Sequence, residues 1–428
     1  MKNAQTDRGK FAFILAIVFL CSLALFTVGL RTGKNKTWPY YPIMQSVYAV
    51  KSYVNFGRAT PTNQLVTPPG DASRKQFTFH NKLIHESGLY AFLLWNDPDK
   101  QYAARLYDEN GSLMHQWVIE YTALDPDGPL NNSDSPHAFL ILKDGSLIVN
   151  FDKGDVFARI DTCSDPIWIR NGVFHHSIAQ ADDGTIWTWR GDNSASAQFQ
   201  YLVNIDSHTG ETLREIGLIE DIIQKPGYNP APFLVPAGYQ FDRLIKDQGT
   251  LGDLFHPNDI EPLSNSMAEA FPLFKADDLL ISLRNINFVG VIDPDSKSLK
   301  WWSHGPWLSQ HDPDFTADGH ISIYNNNRNR KFSQIVQIDP VTRIATNNLA
   351  SGAVNFYSAS KGKHQYLPQG KVLIIVPNEG RAIVSTKNGE LITEFNNISI
   401  DHPHLNGHVS DGVWLPPGYF DAQPKCTS

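Results

Sequence analysis

The chain has 428 residues, with 44 acidic and 36 basic side chains and a formal charge of −8. That balance offers no basic footprint for nucleic acid, while the length is ample for a large all-β core in one domain. No Walker glycine loop, no GxGxxG after a strand and no HExxH occurs, so a nucleotide-borne phosphate or sulfate donor is not supported.

Residues 1–10 form a short tail, expected to be cytoplasmic. Phe11 to Leu30 is uncharged and apolar, and about 20 such residues cross a bilayer's hydrocarbon core. No small-x-small cleavage site follows, so an uncleaved transmembrane signal anchor is expected rather than a cleaved peptide. Flanking charge leaves orientation open: Lys2, Arg8 and Lys10 (less Asp7) face Arg31, Lys34 and Lys36. A short tail before a large domain favours export. The expectation is a single pass of the inner (cell) membrane, with the domain facing the periplasm or exterior. Residues 31–80 read as a stalk: Tyr41 to Val54 has apolar residues at helical spacing, and TPTNQLVTPPGDASRK reads as a Pro-rich linker.

From residue 81 to 428 the pattern is of short strands. SLIVNF (146–151), TIWTW (185–189), LLISL (279–283), HISIY (320–324) and KVLIIV (371–376) are apolar runs rich in Ile, Val and aromatics. Each is followed by a second strand and polar turn chemistry, as in VNIDSHTGET, VIDPDSKSLKWW and VQIDPVTRIA. About six units begin near Tyr90, His137, His176, His256, His311 and Gly362. Such units need closure to hide their edges, so the expected fold is an all-β, six-bladed β-propeller, with a pair of β-sandwiches as the alternative. Cys21 falls in the apolar segment. Cys163 and Cys426 would be free to bridge in an oxidising compartment, tying the C-terminal tail to the ring, or would stand as two thiols.

Four histidines follow the repeat. His137, His176 and His311 each stand eight residues before a turn glycine, in HAFLILKDG, HSIAQADDG and HDPDFTADG. His256 opens FHPNDIEPL, where an insertion replaces the turn. Repeats closed into a ring would bring these side chains to its axis. Strand alternation turns His175 away from His176, marking it as support. Four converging imidazoles suit a transition metal, or else one serves as nucleophile toward a phosphoryl or sulfuryl group. Arg284, within DDLLISLRNINFVGVI, favours an oxyanion over a metal, unless it is a surface residue paired with Asp277 or Asp278.

HHSIAQADDGTIW, FHPNDI, DDLLISLRNINFVGVID and QHDPDFTADGHI resemble the motifs of bacterial arylsulfotransferases of the PAPS-independent type, over about residues 137–377. The resemblance implies sulfuryl transfer from an aryl sulfate to a phenol through a sulfohistidine, with no cofactor and no metal. It implies His311 as nucleophile, His256 and Arg284 on the non-bridging oxygens, and His176 assisting with the sulfuryl group or the phenol proton. Asn258 would position His256 or a sulfate oxygen. His175, His137, Trp302 and Tyr324 complete the candidate substrate-binding set, although the aromatics also suit packing between blades. The partners implied are the small-molecule donor and acceptor and, through the N-terminal segment, a membrane; a homodimer is compatible. The stretch Ser264–Lys275 departs from the compact form of the motif. A four-histidine metal enzyme and a non-catalytic binding propeller are the competing readings.

Overall fold

The computed structural model describes, with gaps, residues 2–46 and 63–426; 47–62, 82–85, 129–133, 152–155, 192–199, 234–244, 247–249, 252–254 and 350–353 are the main segments outside it. The chain divides into two units, Met1–Pro61 and Thr62–Ser428. In the first, Lys2–Asn35 is one 34-residue helix. Its Phe11–Gly33 portion is long and apolar enough to cross a membrane. Most of the helix expected over 41–54 lies outside the described residues.

The second unit is a six-bladed propeller of antiparallel sheets. Blade two contains Pro136–Ile141, Leu147–Phe151, Val156–Ile160 and Pro166–Asn171, from axis to rim. Blade three runs from Val173–Gln180 to Thr212–Gly217, blade four from Pro257–Pro262 to Ser298–Ser303, and blade five from His311–Phe315 to Ala345–Leu349. Blade six begins with Lys363–Leu367. The turn glycines Gly145, Gly184 and Gly319 have φ of 85°, 85° and 81°, the left-handed region that a Cβ disfavours.

Blade one is built from both ends of the unit. Its innermost strand is Val409–Leu415, paired with Leu89–Asn96. This joins late chain to early chain in one sheet and leaves the ring without a free edge. Beyond it, the tail lies along blade two: Asp421 N donates to Lys143 O at 2.9 Å and Tyr419 Oη to Ile141 O at 2.6 Å. The Cys163–Cys426 bridge forms, fixing the tail to a blade-two turn. Only Cys21 is free.

The expectation of a linker up to residue 80 is corrected. Leu65–Val66 pairs with Asn406–Gly407, and Phe77–Phe79 adds a fifth, outermost strand to blade six. The strands are only two and three residues long, too short for a periodic pattern amid prolines. Packing decides them: the Phe77 ring lies 5.0 Å from Phe395 and 5.1 Å from Tyr107.

Tryptophans lock neighbouring blades. Indole nitrogens of Trp117, Trp168 and Trp301, each on an outermost strand, donate to Gly145 O, Ser207 O and Pro340 O in turns of the next blade, all at 3.0 Å. Buried indoles need such partners. The insertion Ser264–Lys275 lies at the end of blade four opposite the start of its innermost strand. Phe271 and Phe274 anchor it in a core shared with Trp301 and Phe315. It therefore leaves the histidine end untouched.

Candidate active site

Five of the six innermost strands break their ladder near their first residues: at Pro136/Phe139, His175/Ile178, Pro257/Asp259, His311/Pro313 and Val409/Asp411. Such bulges re-aim side chains. Here they coincide with left-handed backbone at His176, His256 and Asp312, with φ of 62°, 50° and 51°. Strained residues persist only where surroundings over-determine them. For His176 the clamp is Asn150, whose Nδ2 donates to His176 O at 3.0 Å while its Oδ1 accepts from Ala138 N at 3.0 Å.

The bulges bring together the histidines that sequence placed in one frame. The rings of His137 and His176 are 4.2 Å apart, and those of His176 and His256 are 4.9 Å apart. A small cavity opens among them, lined by His137, His176, Asn258, His311, Lys361 and Lys363, among others. Neither His256 nor Arg284 is part of its wall. His256 reaches it through His176, with the two Nε2 atoms 3.2 Å apart. Arg284 acts by charge: after burial, its guanidinium is the chief cause that holds the His311 imidazole well below its usual pKa. Its side chain meets Asn285 Oδ1 at 3.3 Å, while Asp278, one suggested surface partner, is held by Lys300 at 2.5 Å.

Hydrogen bonds order the tautomers. Gln200 Oε1 accepts from His175 Nε2 at 2.8 Å, so a neutral His175 has a lone pair on Nδ1. That atom accepts from His176 Nδ1 at 2.6 Å, which leaves His176 Nε2 as acceptor for His256 Nε2–H. Burial first, and then the neighbouring imidazoles, keep His176 neutral, its pKa well below normal. His175 is buried in this supporting role and is not among the wall residues. Asn258 does line the cavity. Its Nδ2 is spent on Gln310 O at 2.7 Å, and among the described residues its buried Oδ1 meets no partner.

Two aromatic candidates stand elsewhere. Tyr324 is fully buried in a core cluster with Phe356 and Ile374. Trp302 sits on the outermost strand of blade four, its ring 5.3 Å from His304. Neither lines the cavity, because residues on inter-blade faces and outer strands point along the ring rather than into its axis.

Below the histidines lies a charged layer that the frame did not reveal. Lys363 of blade six bridges Asp312 at 2.7 Å and Asp259 at 3.2 Å. Asp312 also accepts from His364 Nδ1 at 2.8 Å, and His364 Nε2 meets Ser322 Oγ. Burial pushes Asp312 upward, but Lys363 and His364 outweigh it and hold the carboxyl at about 2. Burial wins for Asp259, pushed up to about 6, and for Asp411, pushed up to about 7, despite Lys363. The one signal for this layer was KGKH at the start of the sixth unit, where the framed position, eight residues before Gly370, is Gly362 with Lys361 and Lys363 on either side.

The geometry disfavours a four-histidine metal centre. Among the described residues, only Asp312, Asp314 and His364 bring three metal-ligating atoms within 4.8 Å of one another. There Lys363 neutralises Asp312, and both His364 nitrogens are hydrogen-bonded.

A search among curated proteins finds no match. Among solved structures, the chain is similar to a protein of unknown function from Bacteroides caccae: 9% identity, TM-score 0.49, covering 77% of this chain and 99% of that one. TolB from Acinetobacter baumannii gives 12%, 0.46, 77% and 67%. A virginiamycin B lyase from Staphylococcus aureus gives 10%, 0.41, 74% and 87%. These likenesses say nothing of the chemistry. The profile of the family described as Arylsulfotransferase (ASST) matches residues 138–398, from the innermost strand of blade two to the end of blade six. With more than half its length matched and the framed histidines gathered at one end of the propeller axis, the chain belongs to the arylsulfotransferase (ASST) family.

Proposed function

We propose that this protein moves a sulfuryl group from an aryl sulfate ester to a phenolic acceptor in two steps, through a sulfohistidine on His311. The carrying observation is a buried, neutral His311 on the wall of a small cavity, beside the charge of Arg284. In the first step a lone pair of His311 attacks sulfur, the N–S bond forms, and the S–O bond breaks with its electron pair leaving as phenolate. In the second, the acceptor oxygen attacks sulfur and the pair returns to nitrogen. Sulfuryl transfer resembles phosphoryl transfer, in which positioning and charge stabilisation supply most of the catalysis. A sulfate ester carries one negative charge, so Arg284, with Lys361 at the cavity wall, is suited to offset it without a divalent ion. His176, neutral with its Nε2 accepting from His256, assists by holding the His256 ring beside the transferring group. Asn258 Oδ1 is left to accept a hydroxyl.

The disulfide supports an oxidising compartment for the propeller, and the apolar helix supports a membrane anchor. Together they favour an enzyme tethered to the inner membrane and facing the periplasm.

The test is transfer from p-nitrophenyl sulfate to phenol by the detergent-solubilised full chain. Turnover is expected, together with a sulfuryl adduct on the peptide containing His311 when acceptor is withheld. A folded His311→Ala chain that keeps full activity would remove the assigned role.

A further inference from the structure

Asn326 follows the strand Ile321–Asn325 and is fully buried. Its Nδ2 donates to two backbone carbonyls, Ser358 O at 2.9 Å and Lys361 O at 2.7 Å. A carbonyl oxygen only accepts, so these two bonds fix which end of the carboxamide is nitrogen. Oδ1 must then face His311 Nδ1, at 2.7 Å. Two acceptors cannot share that distance, and Nδ1 therefore carries the hydrogen. The remaining ring nitrogen, Nε2, has the lone pair; it accepts from Lys361 N at 3.2 Å, on the cavity wall. One side chain thus holds both sides of the ring, Nδ1 directly and Nε2 through the Lys361 backbone.

We infer that Asn326 is the positioning residue that selects the Nδ1–H tautomer of His311, so that Nε2 is its nucleophilic atom. This rests on the reading of His311 as the sulfuryl carrier. Attack by Nε2 turns a neutral ring into an N-sulfo imidazolium: nitrogen gains the bond to sulfur, the aryl oxygen takes the electron pair, and the Nδ1 proton stays. A neutral amide acceptor suits that cycle. It supports the cationic ring during transfer without the full charge that would over-stabilise the intermediate or hold the free imidazole protonated.

The test uses the full chain in detergent micelles with nitrogen-15-labelled histidine, assigned by the signal lost in His311→Gln. Neutral His311 should show Nδ1 protonated and Nε2 bare; the opposite tautomer overturns the inference whether or not the protein turns over. Asn326→Ala should mix the tautomers and lower kcat by ~10–100-fold, with the donor KM nearly unchanged, a size typical of lost orienting partners. Asn326→Asp should restore the Nδ1–H tautomer and move the acid limb of kcat/KM upward by ~1 unit or more. If activity falls in both variants while tautomer and limb stay put, Asn326 is only a packing residue. If the tautomer is as stated but no sulfohistidine forms in the wild type, the proposed transfer fails and the tautomer assignment survives.

Discussion

At the scale of single residues, the site is a cluster of imidazoles with Lys361 and Lys363 in its wall and the charge of Arg284 acting on His311. Arg284 disfavours a second positive charge on His311, and the same charge offsets the sulfate. Removing it should have two separable effects. Arg284→Ala should lower kcat by ~10²–10³-fold, the size of losing one preorganised charge stabiliser. It should also move the acid limb of the kcat/KM profile to higher pH, because His311 then protonates more easily. Arg284→Lys keeps the positive charge and should recover most of the lost rate and the wild-type acid limb. A profile whose limb is unmoved in Arg284→Ala would show that the guanidinium does not act on His311. The residues that support the imidazoles, Asn150, Gln200 and Asn326, are all carboxamides and all buried. Sequence did not single them out, since nothing local separates an amide beneath a histidine from one at a turn.

At the scale of elements, the bulge at the start of the innermost strands is the device that turns a repeat into a site. Blade six differs: its first strand pairs without a register break, and the irregularity falls just before it, at Lys361 and Gly362, with φ of 57° and 108°. Gly362 is required twice over, by its φ and because a Cβ would come within 2.6 Å of the Tyr324 ring. Tyr324, expected as a substrate platform, is thus the floor that shapes the Lys361 turn. Gly362→Ala should cost ~1–3 kcal/mol of stability through the backbone conformation. It should also reduce activity more than that loss explains, since it displaces the Lys361 N–H from His311. Denaturant midpoints alongside kcat measure both, and an unchanged kcat in a destabilised variant would dissociate the turn from catalysis. The strands after each turn were legible, because apolar runs and Asp-Pro or Asp-Gly pairs are local signals. Phe77–Phe79 was not, because the Phe77 ring against Phe395 and Tyr107 is a tertiary fact.

At the scale of the whole propeller, closure and the disulfide act on the same stretch of chain. The bridge spans 263 residues of sequence. Cys163→Ser should lower stability by roughly 2–5 kcal/mol, as for loss of a native disulfide, read as a drop in thermal midpoint that reductant reproduces in the wild type. No shift on reduction would mean that the tail's hydrogen bonds to blade two hold it without the bridge. The charged layer on the axis ties stability to pH. Burial raises Asp411 to about 7, against roughly 3.9 when unfolded. A raised folded value means the folded state holds the extra proton, so this contribution is complete at low pH and is lost as pH rises through about 7. The depressed values of His176 and His311 act oppositely, with stability falling as pH drops below ~6.5. Asp411→Asn should therefore gain stability relative to the wild type as pH is raised from about 5 to 8. A difference in thermal midpoint that is constant over that range would show that Asp411 titrates normally.

The apolar helix, the six-fold count of units, the turn positions and the identity of the framed histidines were all written locally, because periodicity, turn chemistry and repeat frame depend on neighbours in sequence. What only the tertiary structure decided was which side chains meet at the axis and in what protonation state. Ring closure by Val409–Leu415, the Lys363 bridge to Asp312, and the amides that order the imidazoles all come from distant segments. Their hydrogen bonds and burial exist only once those segments are brought together, and so no local pattern could record them.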